Sequence, residues 1–162
     1  MVEQKIEQKI IEKLTSALQG AGVQRFLVTG RLSANENTVK GLESSENDVI
    51  IVVKTSPRSY STATIPTCQL NYEVNCLVRA DVDYSGMTYL GVTDALIDVF
   101  QRWQRCYDDT HADFTLPDEF RCAGFQLGTG EFGLDQTGKV WNYNHALTVF
   151  GVLENDYTTT NN

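Results

Sequence analysis

The side chains able to do chemistry are few in this chain and badly grouped for it. Two histidines (His111, His145), four cysteines (Cys68, Cys76, Cys106, Cys122) and 21 carboxylates supply every candidate base, thiol nucleophile and metal ligand. Gly128-Thr129-Gly130-Glu131-Phe132-Gly133 matches the G-x-G-x-x-G pattern of dinucleotide sites. That pattern cradles a pyrophosphate only where a strand leads in and a helix opens at the last glycines. Here Asp135-Gln136-Thr137-Gly138 and another strand-like run follow, so a glycine-bent hairpin is expected instead. Asp81-Val82-Asp83-Tyr84-Ser85-Gly86 imitates the first half of a calcium loop, but Val92 stands where the bidentate glutamate belongs. Asp108, Asp109, His111 and Asp113 have the composition of a hard-cation site, yet with one histidine they read as an acidic surface loop. A catalytic triad needs a base beside its nucleophile and a third group to orient it. His145 instead alternates with Tyr143 and Leu147 and reads as a packed or interfacial histidine. Glu73 and Asp81, about 26 Å apart along one strand, are too distant to act as a carboxylate pair. Gly138-Lys139 lacks the upstream glycine of a phosphate loop. The expectation is no catalytic residue, no cofactor and no metal.

Charge narrows the partners. The net charge is −8, and it is unevenly placed. Up to Val82, nine Lys or Arg balance nine Asp or Glu; beyond it, Arg102, Arg105, Arg121 and Lys139 face twelve carboxylates. A basic footprint for gripping phosphates is missing, which argues against tight nucleic-acid binding. No cysteine pair has C-x-x-C spacing. Cys68 and Cys76 lie eight apart on one strand, roughly 26 Å when extended, too far to bridge. Reduced thiols packed as small apolar groups are expected, as in a cytosolic protein. The opening segment is charged and helical rather than a secretory leader, and no apolar run approaches the ~20 residues that cross a bilayer.

The elements that must position these residues follow from periodicity. The most informative run is Leu70 to Val82, where Leu70, Tyr72, Val74, Cys76, Val78, Ala80 and Val82 alternate with Asn71, Glu73, Asn75, Leu77, Arg79 and Asp81. Side chains alternate across a strand, so this predicts one long strand with a buried face and a wet one. Ile6, Ile10, Leu14 and Leu18 predict an amphipathic helix over Val2–Leu18, stopped by Gly20 and Gly22. Val23–Thr29 reads as a first strand and Asp48–Lys54, with its β-branched run, as a buried central one. Ser33–Asn47, Thr55–Thr67 and the acidic Tyr107–Glu119 read as loops. Tyr89, Val92, Leu96, Val99, Phe100, Trp103 and Tyr107 share a helical face, predicting a second helix over about Met87–Cys106 with a core-forming aromatic stripe. Phe120–Leu134 and Val140–Leu153 should form a hairpin.

The expected architecture is α+β: an antiparallel or mixed sheet of about five strands, two helices on one face, in the order α-β-β-β-α-β-β. Residues 1–154 form one domain and 155–162 a polar tail.

This arrangement resembles the tail terminator proteins of long-tailed bacteriophages, also called tail completion or head–tail joining proteins. The likeness lies in the charged opening helix, the strand pair Asp48–Lys54 and Leu70–Val82 split by a Ser/Thr/Pro loop, and Leu77-Val78-Arg79-Ala80-Asp81-Val82-Asp83 leading into the helix Tyr89–Cys106. The closing hairpin with Trp141 and Tyr143 completes it. The resemblance implies a virion structural protein, not an enzyme. It would form a homo-oligomeric ring, commonly a hexamer, on the tail tube protein and meet neck or head-completion proteins. DNA would pass through its lumen without specific binding, and assembly would occur in the host cytoplasm with no membrane involved. Arg58, Tyr60, Glu73, Asn75, Arg79 and His111 are the expected contact residues. Other neck, baseplate or minor tail subunits share similar sandwiches. A small-molecule-binding sandwich with His145 in its pocket, and an edge-strand module that captures a peptide, are the competing readings.

Overall fold

A computed structural model describes residues 2–30, 47–60, 67–81, 91, 94, 98–100, 111–134, 136 and 138–154. The predicted second helix lies mostly outside these, as do residues 31–46, the Asp83–Gly86 segment, Asp108, Asp109 and the 155–162 tail. Helix α1 (Val2–Gly20) buries Ile6, Ile10, Leu14 and Leu18, the stripe the four-residue spacing predicts. Its end follows from one residue. Gly22 takes a φ of 82°, the left-handed region that glycine enters without strain. Val23 N–H then donates to Leu18 C=O at 3.1 Å and Gly22 N–H to Gln19 C=O at 3.1 Å, which satisfies two otherwise unpaired helix carbonyls.

The strands are β1 (Phe26–Gly30), β2 (Val49–Thr55), β3 (Ser59–Tyr60), β4 (Thr67–Arg79), β5 (Phe120–Leu134) and β6 (Val140–Leu153). They form one six-stranded mixed sheet in the order β1-β2-β4-β6-β5, with β3 also on β4. Only β1 and β2 run parallel. With α1 and the helical residues Gly91, Asp94 and 98–100, this is an α+β fold. It holds one strand more than expected, because the Thr55–Thr67 segment contains β3. Thr55 pairs Tyr72 and Ser59 pairs Gln69, so β2 and β3 are successive pieces of one line along β4. Pro57 sits in the gap, where its missing N–H removes no ladder bond.

The long strand is shifted from its expected bounds. β4 starts at Thr67, since Thr67 and Cys68 find partners in Val152 and Gly151. It ends at Arg79 rather than Val82: Ala80 and Asp81 turn, and Arg79 Nε donates to Asp81 Oδ1 at 2.9 Å. Every second residue from Cys68 to Val78 is buried, as alternation requires. The other face is not simply wet, however. Its residues are half-buried, and Ile50 and Val52 on that side of β2 are buried beside Leu77 and Val140. β2 is flanked by β1 and β4, and its five residues from Val49 to Val53 are buried whichever way they point.

The main core joins α1 to the sheet's first face: Val49, Ile51, Val53, Leu70, Val74, Leu147 and Val149. Phe100, Phe114 and Phe125 cluster with ring centroids 5.1–5.9 Å apart, so Phe100 of the aromatic stripe is core. The segment expected as an acidic loop holds a short helix, α2 (His111–Asp113), and an isolated bridge from Leu116 to Phe120. Strands β5 and β6 match their expected bounds and pair as a hairpin. The G-x-G-x-x-G run lies inside β5, with a register shift between Thr129 and Phe132. No helix begins there, so a helix N-terminus for a pyrophosphate is lacking at that run.

Candidate interaction surface

The six expected contact residues do not converge. Strand β4 is roughly 40 Å long at about 3.3 Å per residue, and five of the six are spread along it or beside it. Arg58 and Tyr60 stand at the β3 end. The Arg58 guanidinium pairs with Glu3, and Arg58 Nη1 donates to Tyr60 Oη at 3.3 Å. Tyr72 Oη donates to the Glu3 carbonyl at 2.8 Å. Burial first, and the Glu3 carboxylate second, raise the Tyr72 phenol, so it stays a neutral donor. These bonds clasp the first turn of α1 to the sheet, leaving the Tyr60 ring 60% exposed. Arg79, at the opposite end, is spent on Asp81 and on Asp48 Oδ1 at 3.7 Å. His111 opens α2, away from β4 in sequence and in pairing.

Glu73 and Asn75 occupy the middle of the second face. Asn75 stands directly opposite Asn144, and Asn71 opposite Thr148. Thr148 Oγ1 donates to Asn71 Oδ1 at 3.4 Å, a long bond. Asn75 Oδ1 and Asn144 Oδ1 are buried and accept no hydrogen bond. A buried carbonyl without a donor costs about 1–3 kcal/mol, so these amides mark a face that the described residues alone leave incomplete. The alternation of β6 already put Asn142, Asn144, Ala146 and Thr148 on one side; what it lacked was their register against β4.

The first face carries His145 and the buried cysteines. His145 is 1% exposed, edge-on to Tyr143 at 3.9 Å between centroids, and opposite Val74. Burial pushes its imidazole down to about 4, with the Gly128 backbone opposing that shift, so the ring is neutral and packed. Cys76 is buried, which pushes its thiol up to about 12 and removes thiolate reactivity. Cys68, Cys76 and Cys122 are all buried thiols, the packing role expected of them. Among the described residues no group of three His, Cys, Asp or Glu side chains could hold a metal ion. No helix of the described residues is long and apolar enough to cross a membrane.

Sequence reading missed one feature, the outer edge of the sheet. Val49 N–H donates to Arg25 C=O at 3.2 Å in the parallel ladder. Arg25, Leu27 and Thr29 therefore turn their backbone groups toward β2, and by alternation Phe26 and Val28 turn theirs outward. No described strand pairs with them. The strand is Phe-Leu-Val-Thr-Gly, with no charge and no proline, and Leu27 is 37% exposed. The signal was present in that composition, but an edge position cannot be told from a central one by composition. Compared with known proteins, the chain matches no family model and no curated protein, so the reading of its function rests on these surfaces.

Proposed function

We propose that this chain is a structural subunit of a long-tailed phage virion, a ring-forming tail terminator that caps the tail tube and offers the head-joining surface. The observation that carries the self-assembly part is the outer edge of β1, with which no described strand pairs. Natural sheets blunt their edges with charge, proline or bulges, because an unpaired edge templates strand addition. Strand β5, at the other side, carries two register shifts; β1 carries no such device. A closed ring of subunits is the assembly in which an unprotected edge is safely covered. In this reading the second helix, spanning about residues 87–106, completes the roof beside α1, and the excess carboxylates of the second half line the lumen. Like charge there keeps DNA sliding rather than sticking. The tail tube protein and the neck proteins are the partners.

Light scattering on size-fractionated protein, alone and with tail tubes, tests this. Rings or tube-capped particles are expected. Val28→Pro removes an outward N–H and no ladder bond, though it also trims a side chain packed against the core; with circular dichroism confirming the folded monomer, it should abolish those species. A chain that stays monomeric beside assembled tubes, or a Val28→Pro variant that assembles normally, overturns the reading. Reversal of several second-half carboxylates to Lys should impede DNA passage in assembled particles.

A further inference from the structure

The outer edge of β1 and the flank of α1 above it form one strip almost without charge. On the strand, Phe26, Val28 and Gly30 turn their backbone groups outward, no described strand pairs with them, and Phe-Leu-Val-Thr-Gly carries no charged side chain. On the helix, Glu7 and Ile11 mark this flank, since they lie nearest to where a Gly30 Cβ would stand. Helical spacing adds Gln4, Gln8, Thr15 and Gln19 to the same side. Of these six only Glu7 is charged. The cations of α1 serve the opposite flank, where Lys5 pairs with Glu119 and Lys13 with Asp113. Such a strip stands out in a chain of net charge −8.

The strip is complementary to itself. We infer that it binds a second copy of this chain in a two-fold dimer, β1 against β1 and α1 beside α1. With the two strands antiparallel, Val28 stands opposite Val28 of the other copy and Phe26 opposite Gly30, so every outward backbone group finds a mate. A one-residue slip would turn those groups away from each other, and a two-residue slip would leave part of each strand unpaired. One register therefore engages all five residues, with Leu27 opposite Thr29 on the second face. The helices agree with it. Strands lie about 4.8 Å apart and α1 lies over β1 and β2, which sets the two copies of α1 antiparallel and about 10 Å apart, the usual distance for packed helices. The Ile11–Thr15 stretch then sits at the two-fold, with Gln8 across from Gln19. Two short edges and two helix flanks bury on the order of 1,000 Å² in all, the low end for specific association, so a reversible dimer of roughly micromolar strength is expected. An edge takes one neighbour at a time. This pairing covers β1 in the free chain, and a subunit must leave it before the same edge can serve a ring.

Sedimentation equilibrium of the full chain should show a monomer–dimer equilibrium that tightens with salt, as screening relieves the repulsion between two acidic copies. The double variant Leu27→Cys with Thr29→Cys fixes the register: residues opposite each other at a non-bonded position have Cα atoms about 4.5 Å apart, within disulfide reach. Mild oxidation should link it into covalent dimers, whereas Leu27→Cys alone, two residues out of line with its own copy, should stay unlinked like the unaltered chain. Gln8 and Gln19 are exposed, so charges placed there should leave the circular dichroism spectrum native. Gln8→Glu with Gln19→Glu sets like charges across the seam twice and should weaken the dimer roughly fivefold or more; Gln8→Glu with Gln19→Lys sets opposite ones and should restore it. A chain that stays monomeric up to about 1 mM, a double cysteine variant that does not link, or two charge variants that behave alike would overturn the pairing. Dimers that never cap tail tubes would leave it standing and sink the ring; capped tubes from a chain that is monomeric alone would do the reverse.

Discussion

Glu73 and Val74 are adjacent on one strand and belong to different worlds. Val74 is fully buried on the face roofed by α1, opposite Val53 and His145. Glu73 stands on the second face among amides, opposite exposed Ala146. The roofed face is held by close packing, whose cost on perturbation is large and local. The second face holds the Asn75 and Asn144 carbonyls, which the described residues leave without donors, so a substitution among its polar groups has little packing to lose. One sheet divides its residues: one side carries most of the core and the other most of the polar side chains.

Substitutions can break that contrast in a ranked way. Val74→Asp puts an unpaired carboxylate into the core, where burial is tolerated only with a partner; cooperative thermal unfolding should vanish. Glu73→Gln, one residue earlier, should shift stability by less than about 0.5 kcal/mol. If both variants melt alike, the two faces are not different in kind. Ile10→Ala, under the roof, should cost about 2–5 kcal/mol in chemical denaturation.

Two glycines of the hairpin make a finer version of the same test. A Cβ on Gly151, opposite buried Cys68, would collide with the Arg121 carbonyl and the Phe120 ring. Gly151→Ala should therefore cost about 1–3 kcal/mol. Gly128→Ala, on the open face, meets only Ala146 and should be neutral within about 0.5 kcal/mol.

His145 sharpens the comparison through pH. Its folded value of about 4 lies below the ordinary 6.5, so the unfolded chain takes up a proton first as pH falls. The stability that rests on the neutral ring is complete above about pH 6.5 and declines as pH drops toward 4, by up to about 3 kcal/mol. His145→Leu should flatten the denaturation midpoint across that window; an unchanged slope would mean the ring is solvated. A smaller loss than that of His145 is expected at the clasp. Arg58→Ala leaves Glu3 partly buried without its cation and should cost about 1–2 kcal/mol. Faster amide exchange confined to the first turn of α1 would locate that loss.

Much of the fold was legible because its signals are local. The four-residue spacing from Ile6 to Leu18 set α1, and period-two alternation set which side of β4 and β6 is buried. The Gly-rich motif read as a hairpin because what followed it was a turn and a strand, not a helix. Strand ends were less legible. Thr67 and Cys68 joined β4 because β6 extends far enough to pair them, with Tyr60 of β3 on the other side of Cys68, and Arg79 ended it through a bond to Asp81. The short β3 had no pattern of its own and exists because β4 runs on past Thr55.

The amino-acid order alone determined where apolar side chains recur, and with that the helix, the strands and the buried faces, since periodicity is a property of neighbours along the chain. It also determined the acidic balance and the poverty of catalytic groups. Which strand lies at an edge, which asparagines face each other, and whether a half-polar face is covered are set by partners distant in sequence. Those were decided only by tertiary structure, because hydrogen-bond register and burial are relations between strands and cannot be read from either strand by itself.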